Sequence, residues 1–280
     1  MLLLGIKKHH KGTRMNAWRL LELEASNAFM NMATDEAILQ AKIAGKVPNT
    51  LRFFRWLPSA VSIGRFQEVQ KEVRVENCKK QGIDIVRRIS GGGAVYHDYG
   101  GEITYSVTVG TEDLGTGDVF AAYNLICNGL IDAIKILGIN ADFNLGNPKN
   151  CPNVSINGKK ISGSAQSHKR GVLLQHGTLL VDVDLKKMFT FLNVPWAKTC
   201  MEVVNVAEKK ITSVKQELGS SISMTEAYEA LVKGFGKALG IVLKKGELTS
   251  YEQKLAEKLC KEKYSTDEWN FDGKIASTFG

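Results

Sequence analysis

The 280-residue sequence has no CxxC pair, and its five cysteines (Cys78, Cys127, Cys151, Cys200 and Cys260) are scattered and odd in number. That pattern argues against a disulfide framework and against a cysteine-based zinc site. Reduced thiols without an export signal point to the cytoplasm. No apolar run approaches the roughly 20 residues that span a bilayer, so a membrane partner is not expected. Met1 to Ile6 is apolar, but KKHHKG follows it, the reverse of the order in a secretory signal. Residues 1–14 therefore read as a loose extension, with Met15 as a candidate start. Basic runs interleaved with aromatics are missing too, although 37 Lys and Arg against 29 Asp and Glu leave a net charge of +8. With no nucleic-acid motif in sight, that surplus reads as a solvated surface able to attract an acidic protein. Internal repeats, low-complexity tracts and a G-x-S-x-G nucleophile elbow are also lacking.

What is present is a chain 44% hydrophobic, enough for one sizeable core. Residues 15–220 read as a catalytic domain and 221–280 as a small C-terminal cap. Strands are expected over Trp18 to Glu24, Thr50 to Trp56, Ala60 to Ile63, Ile83 to Arg88 and Ile103 to Val109. Helices are expected over Asn27 to Ala44, Gln70 to Gln81 and Asp118 to Leu137. Asn157-Gly158 marks a tight hairpin between Val154–Ile156 and Lys159–Ser162. Gly171 to Val183 holds a strand pair or one long strand, and Lys186 to Leu192 a short helix. Thr225 can cap a helix to Leu239, a short strand follows at Ile241 to Leu243, and Ser250 to Glu262 is the last helix. Strands and helices mix without strict alternation, which argues an α+β fold with a mixed sheet flanked by helices.

The most informative stretch is RRISGGGAVYHDYGGEITYS, Arg87 to Ser106. Glycines let backbone amides close on a ligand, and arginines offer forked donors to an anion. Three further segments put small residues beside polar groups at strand ends: SIGRFQ (62–67), NGKKISGSAQ (157–166) and QHGTLL (175–180). In the hairpin, neighbouring lysines face opposite sides, so only one of Lys159 and Lys160 can enter a shared pocket. Cys151 stands in a polar loop nine residues before Lys160, where a thiolate could act as an acyl nucleophile.

At these residues the chain resembles the lipoate–protein ligase A family and its relatives, the octanoyltransferases. An arginine pair, Gly-Gly-Gly-Ala-Val-Tyr-His-Asp, Gly-Lys-Lys-Ile-Ser-Gly-Ser-Ala and His-Gly-Thr-Leu-Leu follow in order. The tail KYSTDEWNF (263–271) is similar to archaeal-type members. The resemblance implies a fold shared with biotin–protein ligases. It makes Lys160 the inward, active lysine. Arg87, Arg88, Gly91, Gly92, Gly93 and Ala94 would line the nucleotide and acyl end, continued by Tyr96, His97 and Asp98. Gly163, Ala165 and His176 would complete the pocket, with Gly64, Phe66 and Gln67 near the acyl chain. The leading activity so implied is ligation of lipoate or octanoate, activated as an acyl-AMP with ATP and Mg²⁺, to a lysine of lipoyl domains. Those domains would belong to 2-oxoacid dehydrogenases or the glycine cleavage H protein, with a separate accessory subunit in support. The alternative needs no cofactor: octanoyl passes from acyl carrier protein through a Cys151 thioester. Gly93 stands where such transferases tend to carry arginine, whereas GEITYS and LLQHGTLL look closer to them. A non-catalytic sensor of lipoate or an acyl-nucleotide is the reading from another class.

Overall fold

The computed structural model describes residues 17–146, 152–194, 197 and 199–274. The expected extension at 1–14 and Cys151 lie outside the described residues. Among the described residues, eleven strands form two sheets: β1 (Ala17–Ser26), β2 (Thr50–Trp56), β3 (Ala60–Ile63), β4 (Asp84–Arg87), β5 (Val95–His97), β6 (Glu102–Gly110), β7 (Asp142–Asn144), β8 (Asn153–Ile156), β9 (Lys159–Lys169), β10 (Val172–Leu180) and β11 (Val242–Lys245). The large sheet has the order β11-β1-β2-β6-β10-β9-β8-β7, and the small one β4-β3-β5. Strand β1 runs parallel to β2 and β11, while β2, β6, β10, β9, β8 and β7 pair antiparallel, so the sheet is mixed as expected.

Local chemistry explains the turns. Asn157 and Gly158 take φ of 49° and 79°, the left-handed pair that a two-residue hairpin needs. Arg170 and Gly171 repeat the device at 48° and 74°. The second turn makes β9 and β10 a long hairpin, so residues 171–183 hold one strand of a pair whose mate precedes the turn. The helix expected over Gln70 to Gln81 is two short ones, Val69–Glu72 and Val75–Lys80. Val73 is extended between them and bridges Leu192, while the Arg74 N–H donates to Phe191 O at 2.7 Å. A tertiary pairing there outweighs helix propensity. Ser223, rather than Thr225, caps the helix Met224–Ala238, with a reciprocal bond to Glu226.

One apolar core lies between the large sheet and the helices Val119–Ile136 and Met224–Ala238. Phe53, Tyr105, Leu130 and Phe235 are buried there. By length and composition Val119–Ile136 would also suit a membrane span, a case the expectation of no sufficient apolar run passed over. Its Ile126, Leu130 and Ile134 are fully buried inside the protein. On the other side, Ala28–Ile43 carries a buried Asp35 and Glu36 along with Met32 and Ala37.

The described part of the cap expected at 221–280, residues 221–274, is stitched to this body. Strand β11 extends the sheet beside β1. Glu252, fully buried, receives Arg19 through two bonds of 2.8 and 2.5 Å. Lys263 and the Tyr264 hydroxyl both donate to Glu36, each at 2.6 Å. Removing one partner of a buried ion pair strands the other in a poor solvent. Glu252→Ala is expected to cost about 3–5 kcal/mol of unfolding free energy, measured by urea denaturation.

Candidate functional site

A cavity of about 750 Å³ opens where the two sheets meet. Strand β5 brings Val95 and His97 to it, and β10 brings His176, Gly177 and Thr178. The glycine loop contributes Gly92, Gly93 and Ala94, and the hairpin contributes Gly158, Lys160, Gly163 and Ala165. Arg88 and Ser62 stand behind the loop, with Met32, Trp56 and Thr104 in the buried part. Both flanks of the segment around Cys151 reach it as well, through Gly146 on one side and Pro152 and Asn153 on the other.

Lys160 lines the cavity and Lys159 does not. Its backbone is tied to a later segment: the Lys160 N–H donates to Lys210 O at 2.7 Å, and Thr212 N–H donates to Lys160 O at 3.0 Å. A side chain built on Gly163 would meet Lys160 Nζ at 2.8 Å, so the ammonium lies over a glycine.

The same alternation separates residues the sequence put together. Arg87 precedes Arg88 and turns away from the cavity. Its guanidinium donates to Trp269 O, Asn270 O and Phe271 O on one side and to Gly64 O, Arg65 O and Gln67 O on the other. All its donors are taken by the backbone, which corrects its placement at a nucleotide end. Tyr96 also faces away, packed against Phe191 with centroids 5.0 Å apart and the rings tilted by 30°. Asp98 accepts from Lys187 at 2.9 Å beside a separate depression shared with Asp182 and Asp184. Phe66 is 89% exposed and forms no part of the cavity wall. Gly64, Gln67 and Gly91 support the wall instead. A Cβ on Gly64 would sit 2.0 Å from Gly92 O, the Gln67 side chain accepts from Gly64 N–H, and Gly91 O accepts from Arg88.

Several wall and support residues had been missed. Trp56 stacks on His97 at 4.0 Å and donates to Thr104 Oγ1 at 2.7 Å. Asp35 accepts from Arg52 at 2.8 Å, from Ser106 at 2.9 Å and from His176 Nδ1 at 3.1 Å. Burial alone would raise the Asp35 carboxyl. The His176 hydrogen bond and the Arg52 charge outweigh it and hold the group below its ordinary range. Burial lowers His176, and the pull of Asp35 only partly offsets that, so the ring is neutral at pH 7. The signal for Asp35 was a carboxylate amid the apolar residues Met32, Ile38 and Leu39 of the helix; Lys210 gave none.

The cavity has three cationic side chains, Arg88, Lys160 and Lys210, and no carboxylate among the described lining residues. That suits phosphate or a developing oxyanion. It does not suit Mg²⁺, which takes carboxylate oxygens along with substrate phosphates. Among the described residues, no group of three His, Cys, Asp or Glu could hold a metal ion. Cys78 and Cys127 are fully buried, and burial pushes each thiol up to about 11, against the thiolate a nucleophile needs.

Residues 27–236 match the lipoyl protein ligase A/B catalytic domain. The chain is 38% identical to the octanoyltransferase LipM of Brevibacillus brevis, over 91% of this chain and 99% of that protein. Against the octanoyltransferase LipM of Bacillus subtilis the identity is 33%, covering 91% and 98%. Among solved structures it is similar to a bi-partite lipoate protein ligase of Thermoplasma acidophilum. There the TM-score is 0.82 at 32% identity, covering 94% of this chain and 99% of that one. A lipoate-protein ligase A bound with ATP gives 0.81 at 32% identity, covering 93% and 100%.

His176 binds a proton less readily folded than unfolded. As pH falls below about 6.5 the unfolded chain therefore takes up more protons, and stability drops. Asp35, shifted down, adds to the loss only below about 3.9. Chemical denaturation at pH 7 and pH 5 is expected to show the loss, and His176→Gln is expected to diminish it.

Proposed function

The chain belongs to the lipoyl protein ligase A/B catalytic-domain family, and from that premise we propose that it is an octanoyltransferase. The donor is octanoyl acyl carrier protein, and the acceptor is a lysine of a lipoyl domain. This revises the order of the two activities implied by the sequence. The relatives of 38% and 33% identity are named octanoyltransferases, while the two solved structures, each at 32%, are lipoate–protein ligases. The observation that carries the reading is in the cavity wall. Lys160 and both flanks of the Cys151 segment line one space that has no carboxylate for Mg²⁺ among the described residues.

The chemistry then runs in two acyl transfers. The Cys151 thiolate attacks the carbonyl of the donor thioester, the carrier's thiol leaves, and octanoyl is held on Cys151 as a new thioester. The acceptor lysine, as a free amine, attacks that carbonyl. An amide forms and the Cys151 thiol is restored after proton transfer. Lys160 holds the carbonyl oxygen while negative charge builds on it in both steps. Small residues such as Gly177 and Ala165, with Met32 and Trp56, offer the apolar wall an eight-carbon chain needs. No ATP step is required, and neither is an accessory subunit that supports adenylation. The surplus of basic residues steers acidic protein substrates to the cavity.

The discriminating experiment compares octanoyl carrier protein alone with free lipoate plus Mg-ATP, each with a lipoyl-domain acceptor. Octanoylated acceptor from the carrier without ATP is the expected result. Product only with free acid and ATP would restore the ligase reading. Cys151→Ala is expected to abolish transfer from the carrier, and Lys160→Ala to lower kcat by about 10²–10³-fold. Full activity of Cys151→Ala on the carrier substrate would overturn the thioester route.

A further inference from the structure

Two buried carboxylates, Asp35 and Glu102, take no part in the transfer chemistry, yet both end hydrogen-bonded chains that converge on Arg88. In the first chain, Arg88 Nε donates to Ser90 Oγ at 3.4 Å, Ser90 Oγ meets His176 Nε2 at 2.6 Å, and His176 Nδ1 meets Asp35 Oδ2 at 3.1 Å. In the second, Arg88 Nη1 donates to Ser62 Oγ at 2.7 Å, Ser62 Oγ meets His97 Nε2 at 2.7 Å, and His97 Nδ1 meets Glu102 Oε1 at 2.7 Å. Every member is 5% exposed or less.

A carboxylate oxygen only accepts, so the histidine Nδ1 facing it carries a proton, and Nε2 can then accept the proton of the serine whose oxygen holds an Arg88 N–H. Each ring then offers Nδ1–H to its carboxylate. Arg88 Nη2 donates to Gly91 O at 2.9 Å and to Gly93 O at 3.0 Å. Because the guanidinium is a rigid planar fork, fixing it through two chains fixes the carbonyls of the glycine loop.

We infer that Asp35 and Glu102 are positioning residues for acyl transfer. Through His176 and His97 they set Arg88, and Arg88 sets the glycine edge of the cavity against which the acyl thioester reacts. The inference rests on the transferase reading for its rate effect but not for the proton arrangement.

The two carboxylates are not equivalent to isosteric change. Asp35 Oδ1 is held by Arg52 and Ser106, so Asp35→Asn turns its amide NH₂ toward His176 Nδ1 and forces the other tautomer. Glu102 Oε1 takes both His97 and Thr104, whereas Oε2 has no hydrogen-bond partner among the described residues. Glu102→Gln can place its NH₂ there and keep the His97 tautomer, while Glu102→Ala cannot.

The test pairs kinetics with ¹⁵N NMR of the imidazoles in the full chain. Expected are Nδ1–H signals for both rings in the unmodified protein, lost at His176 in Asp35→Asn. Asp35→Asn, Glu102→Ala and Ser90→Ala should lower kcat for octanoyl transfer by about 10- to 100-fold, with KM within about twofold. Glu102→Gln should recover at least part of the Glu102→Ala loss. Ser90→Ala cuts a chain without removing a buried charge, so it reports even where Asp35→Asn fails to fold. Unchanged kcat in both Ser90→Ala and Glu102→Ala would overturn the inference. So would loss of kcat only in step with KM and melting temperature, or Nε2–H tautomers in the unmodified protein. If that protein moves no octanoyl from the carrier, the transferase reading fails and the NMR signature alone decides the positioning claim.

Discussion

The Asp35 carboxylate is the constraint around which the site is assembled. A charge buried among apolar residues of a helix is tolerated only where donors replace the water it has lost. Here the donors come from β2 as Arg52, from β6 as Ser106 and from β10 as His176. One helix and three strands must therefore arrive in a single register before the charge is satisfied. That requirement places His176 at the cavity wall, and His176 in turn reaches the glycine loop through Ser90. Packing alone would let the helix Ala28–Ile43 slide; directional bonds to a buried anion do not.

The second organising element is the alternation of strand side chains. It sends Val95 and His97 to the cavity and Tyr96 to Phe191. It sends Arg88 to the loop and Arg87 to the C-terminal segment. In each pair the two residues do different physical work. One meets the site, and the other locks the element that carries it.

Much of this was legible beforehand. The strands at 50–56 and 60–63 and the Asn157-Gly158 hairpin follow from short-range rules, and the structure has them at those residues. Lys160 was separated from Lys159 by alternation together with the family resemblance. The same rule, applied to Arg87 and Arg88 or to Tyr96 and His97, would have divided those pairs too. What could not be read were partners set by the tertiary fold. Asp35 meets His176 across 141 positions and Arg87 meets Trp269 across 182. No local pattern announces such contacts. The break at Val73 is of the same kind, since the strand-like bridge to Leu192 lies more than a hundred residues away.

The stitching of the C-terminal segment bears on the chain's history on the ribosome. Strand β1 is made well before its outer neighbour β11 and the partner of Arg19, which come more than 220 residues later. Arg87 likewise waits for residues 269–271. Until residues 242–252 are made, that sheet edge is open and Arg19 lacks its acceptor, and Arg87 lacks its own until 269–271. The nascent protein must keep that edge from pairing elsewhere until those later residues arrive.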